Sequence, residues 1–400
     1  MKVLVLGSYP AVNPRHGGQV RLSQIVQAYA DRGFQVRQAS VFPAHAFYTD
    51  SPTGAADVPL PVPLLRTWKG APNEFVEDLV SGEVAAAQTG LLQALEQHVG
   101  AVDIVHLEQP WLLPLVEALG TRGKLGAFRL IYGSQNIEHG LKRAILRQHR
   151  VARENDIAQA VLELEQRCAR QASLVVAVTQ EDAAVLQGWT AAPVVLAPNG
   201  IAPWESSAAV RERWLRKLGA QPFALYVASS HPPNVQGFAD CFGASLAALS
   251  PLQRVVVAGH VSEFIVASAW FNEWKTLNAR RTTPVGVLSL EDLSALRDLA
   301  HAFILPVTAG GGSNLKTAEA LYSGKHVIAS PLAMRGFESF AALPGLRVAA
   351  PWSEFAAAVA AALGEPPMVR SGASDTLRAS LTWHHTLAAL CTAAGKAMHA

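Results

Sequence analysis

An α/β protein with two doubly wound, parallel-sheet domains is what this sequence predicts, and three observations predict it. Short apolar runs recur along the chain, as in Lys2–Gly7, Asp103–Leu107, Arg254–Gly259 and Phe303–Val307. Their length and mostly apolar character suit strands buried on both faces. Segments of helical periodicity lie between them, several opened by glycine turns, which is the βαβ pattern. The chain has 400 residues, half of them hydrophobic, enough for two full cores.

The stretch around which the rest is organised is FILPVTAGGGSNLKTAEALYSGKHVIAS, residues 303–330. A buried strand, Phe303–Val307, leads into Gly310, Gly311 and Gly312. Ser313 or Asn314 then caps a helix over Leu315–Ser323, Gly324 ends it, and His326–Ala329 starts a second strand. Consecutive glycines let backbone N–H groups approach phosphate oxygens, and the helix dipole adds positive charge there. Lys316 sits in the first turn, where a cation is unfavourable unless an anion is bound. Glu319 lies six residues past Ser313, about 9 Å along the axis, within reach of a sugar joined to a phosphate at the helix start. A plain βα turn with a solvated Lys and Glu would read the same way, and spacing does not separate the two. Neither GxxxxGK[ST] nor GxGxxG after a strand is present.

Those residues, Gly-Gly-Gly-Ser-x-x-Lys-x-x-Glu-Ala-Leu-x-x-Gly-Lys-x-Val-Ile, resemble the donor-binding segment of GT-B glycosyltransferases, family 4 in particular. The resemblance implies two Rossmann-like domains facing a central cleft. It further implies that Glu319 binds the ribose of a sugar nucleotide, with Gly310, Gly311, Gly312, Ser313 and Lys316 beside its diphosphate. One departure stands out: many members carry a second glutamate near the transferred sugar, and Gly311 occupies that position here.

Read in order, Lys2–Gly7 is a first buried strand. The loop after it ends in Gly17-Gly18, before an amphipathic helix with Val20, Ile25, Val26 and Tyr29. Family 4 places a Gly-Gly loop here, facing the donor phosphates; a simple helix entry is the alternative. A second strand covers Phe34–Val41, and residues 43–72 read as a long connection without periodicity. A helix or helix pair fills Glu74–His98. Strand Asp103–Leu107 carries His106 and is followed by Glu108. Ligands of open α/β sheets bind outside the carboxyl ends of strands, so both are candidate catalytic residues, though a core role suits His106 as well. After strand Arg129–Tyr132 comes Ser134-Gln135-Asn136-Ile137-Glu138-His139. Glu138 or His139 is placed to act as general base toward an acceptor hydroxyl, or Asn136 merely caps the following helix. Leu141–Gln171 reads as one long helix, basic at its start through Lys142, Arg143, Arg147, Arg150 and Arg153. Some family members contact membranes through such helices; a solvated face is the plainer reading.

Val194–Ala197 runs into Pro198-Asn199-Gly200, a turn signal that resembles the family's passage between domains, with Asn199 on the donor side. The second domain opens with Phe223–Ala228 and Ser229, where relatives bind phosphate. The Arg and Lys that many relatives carry nearby are missing from Phe223 to Leu252. Neutralisation of the diphosphate then falls to Lys316, Arg335 or backbone groups. A strand is expected over Val285–Leu288 before a helix opened by Glu291-Asp292. Trp383 reads as a packing anchor in the closing helix.

The expected division is an acceptor-side domain over 1–200, a linker over 201–220, a donor domain over 221–380, and a C-terminal helix over 381–400 crossing back to the first domain. The expected activity is transfer of a hexosyl group from a UDP- or GDP-linked donor to a hydroxyl on a glycan, glycolipid or other acceptor, in glycan or polysaccharide assembly. Retention follows from family membership alone. No cofactor and no metal are expected, because no Asp-x-Asp motif stands at a strand end. A sugar-nucleotide epimerase and a non-catalytic binding protein of the same fold are the alternatives. A net charge of +2 gives no sign of a nucleic-acid partner. Three scattered cysteines, Cys168, Cys241 and Cys391, suit a reducing cytoplasm. The apolar run after Lys2 is too short for a signal peptide, and no run reaches transmembrane length. A cytoplasmic protein is expected, with peripheral contact at the inner membrane face as a further option.

Overall fold

A computed structural model describes residues 1–49, 53–310, 314–369 and 372–396. The chain forms two compact units, the first from Met1–Pro198 and Thr386–Ala400, the second from Asn199–His385.

The first unit is built on a seven-stranded sheet, ordered Asp57–Leu60, Gln35–Pro43, Lys2–Gly7, Ile104–Glu108, Arg129–Gly133, Leu174–Ala177, Val194–Leu196. All pairings are parallel. Lys2–Gly7 lies at the middle, Val3 opposite Val36 on one side and Ile104 on the other. Its residues from Val3 onward are buried, as a strand covered on both faces requires. Asp57–Leu60 falls inside the region read as a connection. Its four residues include Pro59, which only an edge strand tolerates, and they are too few to show a period. Asp57 fixes the strand's start, accepting from Ser40 Oγ at 2.5 Å and Gly54 N at 2.6 Å.

Leu141–Gln171 is not one helix. Glu138–Gln148 and Glu154–Gln171 are separate, with Arg150 and Arg153 at φ 52° and 62° in the break. Neither Gly nor Pro marks the break; Val151 turns in to pack against the core there. The C-terminal helix Ala388–Lys396 belongs to the first unit, beside Leu174–Ala177, Val194–Leu196 and the helix Gly17–Ala30.

The second unit holds a six-stranded parallel sheet, ordered Thr282–Gly286, Arg254–Ala258, Phe223–Val227, Ala302–Leu305, His326–Ala329, Leu346–Val348. Alternation along Phe223–Val227 divides the core. Phe223 and Leu225 enter one cluster with Leu305 and Phe337, while Ala224 and Tyr226 enter the other with Phe238 and Phe355. The edge strand is Thr282–Gly286 rather than Val285–Leu288. It carries Pro284 and a register irregularity opposite Val257/Ala258, and Val287 beyond it is exposed. Residues Ala208–Leu218 form a helix capped by Ser207, whose Trp214 donates to Asp292 at 2.7 Å.

Each sheet has one place where successive connections leave in opposite directions. In the first unit it lies between Lys2–Gly7 and Ile104–Glu108, in the second between Phe223–Val227 and Ala302–Leu305. Crevices at such switch points are where open α/β sheets bind ligands.

Candidate functional site

At the switch point of the first unit, the loops leaving the two central strands are tied across it: Ser8 Oγ donates to Gln109 Oε1 at 2.6 Å. Gln109 follows Glu108 directly and holds φ 69°, a left-handed conformation uncommon for a side-chain-bearing residue. Its Nε2 donates to Glu138 Oε1 at 3.2 Å, and Asn136 Nδ2 donates to the same oxygen at 3.3 Å. Glu138 opens its helix, its own N–H given to Glu165 Oε1 at 2.7 Å. Burial pushes the Glu138 carboxyl up to about 7, against the two amide donors, with Glu165 and Asp78 adding repulsion. A carboxyl titrating there suits proton transfer at neutral pH.

His106 and Glu108 are sealed beneath this surface. His106 Nε2 stands 3.0 Å from Glu108 Oε1, and its Nδ1 stands 2.9 Å from the Tyr29 hydroxyl. A carboxylate only accepts, so Nε2 is the donor in the first contact. The other carboxylate oxygen accepts from Arg21 Nε at 3.3 Å and Gln135 Nε2 at 2.8 Å. Burial alone would raise Glu108, but Arg21, His106 and Gln135 outweigh it and hold the carboxyl below its ordinary range. Both side chains are inaccessible, so neither reaches a substrate directly. The network continues outward through Gln135 Nε2, which also donates to the Tyr9 hydroxyl at 2.6 Å.

Two glycines make room for this network. At Gly18 a Cβ would lie 2.3 Å from the Tyr9 hydroxyl, so Gly18 is required by packing in its own unit, whereas Gly17 is exposed. At Gly133 a Cβ would lie 2.1 Å from Glu108 Oε1 and 2.9 Å from His106 Nε2. We expect Gly133→Ala to cost about 3 kcal/mol by breaking a buried ion pair. Gly140→Ala, in open space on a helix, should be neutral or slightly stabilising. Denaturant melts of both variants check this; equal stability would mean that the pair yields without cost.

Lys142, a turn after Glu138, is not a solvated cation. Its Nζ contacts both Asp78 carboxylate oxygens at 2.6 and 2.5 Å and the Phe75 carbonyl at 3.0 Å. Arg147 pairs with Glu154 at 3.4 Å, and Arg153 with Asp156 at 3.1 Å while stacked 4.9 Å over Trp68. Three of the five basic residues, Lys142, Arg147 and Arg153, are thus paired within their own unit. Among the described residues no helix is long and apolar enough to cross a membrane, and no group of His, Cys, Asp and Glu is placed to hold a metal ion.

In the second unit, two helices begin at the switch point, Pro232–Phe242 and Leu315–Ser323, and neither has a side chain capping its first turn. Asn234 joins them. Its Nδ2 donates to the Ser229 carbonyl at 3.0 Å, and its Oδ1 accepts from Lys316 Nζ at 2.6 Å. Burial pulls Lys316 down to about 8, with Glu319 drawing it part of the way back. His231 is lowered by burial and by the Lys316 charge. Gly310 has φ 122°, a conformation that favours glycine, and faces open space. Gly311, Gly312 and Ser313 lie outside the described residues. Arg335 follows the turn Pro331–Met334, beyond His326–Ala329. Asn199 is the first residue of the unit.

Glu319 is held by a partner that sequence reading did not find. Arg297 Nη2, from the helix Leu290–Leu299, lies 2.6 Å from Glu319 Oε1. The guanidinium stacks 4.9 Å over Trp204, and its Nε has no partner among the described residues.

No protein-family model matches the chain, and no curated protein matches it by sequence. Solved structures do match it. A sucrose-phosphate synthase from Thermosynechococcus elongatus aligns with TM-score 0.64 at 16% identity, covering 100% of this chain and 98% of its own. WaaG, a glycosyltransferase involved in lipopolysaccharide biosynthesis, aligns with TM-score 0.61 at 17% identity over 98% of each chain. HepE from Anabaena, in complex with UDP-glucose, aligns with TM-score 0.57 at 16% identity, covering 98% of this chain and 95% of its own. The chain has the GT-B fold of two Rossmann-like α/β units.

Proposed function

We propose that this chain is a cytoplasmic glycosyltransferase that moves a hexosyl group from a UDP- or GDP-linked donor to a hydroxyl acceptor in glycan or glycoconjugate assembly. The observation that carries this reading is Lys316: a partly buried cation, lowered to about 8, where two uncapped helices begin at a switch point. A diphosphate would supply the missing anion, shared among Lys316, Arg335, Ser229, the backbone N–H groups and the glycine turn of Gly310, Gly311, Gly312 and Ser313. Glu319, one oxygen fixed by Arg297, keeps the other for a ribose hydroxyl. Asn199 completes the donor side. The complex of HepE with UDP-glucose supports a sugar nucleotide as co-substrate. The donor role of Gly17 and Gly18 is part of this proposal and rests on the family 4 resemblance. Retention rests on the family 4 resemblance.

In the first unit, Glu138 takes the proton of the acceptor hydroxyl, and Gln109 positions it. His106 and Glu108 act at one remove, fixing Gln135 and the loop after their strand. We take them as positioning residues rather than groups that contact substrate, a reading their burial supports.

Thermal shift with UDP, GDP, ADP and TDP tests the donor reading. One nucleotide is expected to raise the midpoint by several degrees, since saturation at 100 times Kd adds about 2.7 kcal/mol. Glu319→Ala should lose most of that rise. The rise is compared, not the midpoint itself, because the variant orphans Arg297. No shift with any nucleotide would favour the non-catalytic reading. Product that forms without an added acceptor would favour epimerisation.

A further inference from the structure

A cavity of about 430 Å³ opens in the first unit beside Ser8, Tyr9 and Gln109, at the switch point. Its volume is in the range of small-molecule sites. The lining combines the aromatic residues Tyr48, Phe75 and Trp111 with the acidic residues Glu74, Glu77 and Asp78. Lys142 is the one lysine or arginine in the lining, and it is consumed: Asp78 holds it at 2.5 and 2.6 Å, the Phe75 carbonyl at 3.0 Å, and the Trp111 ring lies 5.8 Å away.

The other basic groups nearby lie mostly outside the lining or pair with its carboxylates. Glu77 accepts from His45 Nε2 at 2.7 Å and from Arg66 Nε at 2.7 Å. Arg15 gives Nη1 to the Phe47 carbonyl at 3.3 Å and lies 5.9 Å over that ring. Burial pushes His16 down to about 4, so it is uncharged at neutral pH. Glu74, by contrast, is exposed and has no ion-pair partner among the described residues. A phosphate entering here would meet in the lining no lysine or arginine beyond the one that Asp78 already holds, and would come close to the Glu74 carboxylate; like charges brought together at a binding site are penalised. A sugar ring presents hydroxyls that carboxylates accept from, and C–H faces that pack on aromatic rings.

We propose that this cavity receives the acceptor as a neutral, hydroxyl-rich ring, an uncharged glycosyl group, and rejects a ring carrying phosphate. The proposal rests on the transferase reading above and names the acceptor class for it.

The test is saturation-transfer NMR on the full chain with UDP present. The probes are methyl α-glucoside, methyl α-mannoside and methyl β-galactoside, each compared with glucose 6-phosphate. At least one neutral glycoside should bind, with glucose 6-phosphate at least tenfold weaker at low ionic strength. Tyr48→Ser should weaken the neutral probe about tenfold, and Glu74→Lys should narrow the gap between neutral and phosphorylated probes. A midpoint rise with UDP in each variant verifies that it is folded. Tighter binding of glucose 6-phosphate, or a Tyr48→Ser variant that binds the neutral probe like wild type, overturns the assignment. If no neutral glycoside binds while UDP still shifts the midpoint, the cavity assignment fails and the donor reading stands. If UDP fails as well, the transferase reading has failed first.

Discussion

Glu138→Gln is expected to lower turnover by about a hundredfold or more, the usual loss when a general base is removed, and to raise the thermal midpoint at pH 8. The two effects share one cause. Burial lifts the carboxyl from its ordinary 4.5 to about 7, so the folded protein holds that proton more tightly than the unfolded chain does. The stability gained is full below pH 4.5, is lost progressively as pH rises to about 7, and is absent above it. Over that window the ionised carboxylate costs the fold about 3 kcal/mol. Glutamine keeps the oxygen that accepts from Gln109 and Asn136 and never ionises. The variant should match wild type near pH 5 and melt a few degrees higher at pH 8. Wild-type turnover should climb with pH through about 7 as the base ionises, and the residual activity of the variant should lack that limb. If the variant instead kept wild-type kcat with a raised KM, Glu138 would be a positioning group. Melting curves that superimpose at pH 8 would remove the buried charge from the account.

The strands were legible in the sequence because most are covered on both faces, and an unbroken run such as KVLVLG has few other uses. The exceptions lie at sheet edges. Asp57–Leu60 and Thr282–Gly286 each carry a proline and are short, so their pairing is decided by the neighbouring strand rather than by their own composition. The break between Gln148 and Glu154 had no local signal either, since every residue in it can continue a helix except under the pull of Val151 toward the core. Part of the first-unit network has a signal in the sequence. Arg21, Ile25 and Tyr29 fall four residues apart on one helix face, and an arginine on a buried stripe implies a buried carboxylate partner. Glu108 is that partner. The Arg297–Glu319 pair had no such signal: both residues sit on helices where exposed charges are ordinary, and only the tertiary fold brings them together.

Lys316→Met is expected to lower affinity for the nucleoside diphosphate by about 30- to 100-fold, the scale of a lost charge-assisted hydrogen bond or two. The free protein holds this cation unfavourably. It lies in the first turn of Leu315–Ser323, where the helix dipole opposes it. Asn234 offers a neutral oxygen, and the Glu319 carboxylate is already shared with Arg297. Burial therefore wins and brings the ammonium down to about 8. A bound diphosphate reverses that balance and returns the group toward its ordinary 10.5. At pH 8, where half the free lysines are deprotonated, binding should take up about half a proton, and affinity should fall as pH rises above 8. Calorimetry in two buffers of different ionisation enthalpy reads the uptake directly. His231, lowered below its ordinary 6.5, is the other group there able to gain a proton, and Lys316→Met separates the two. Loss of the uptake in the variant assigns it to Lys316; uptake that persists assigns it to His231. Wild-type affinity in the variant would mean that the diphosphate is neutralised elsewhere and that Lys316 belongs only to the Asn234 contact.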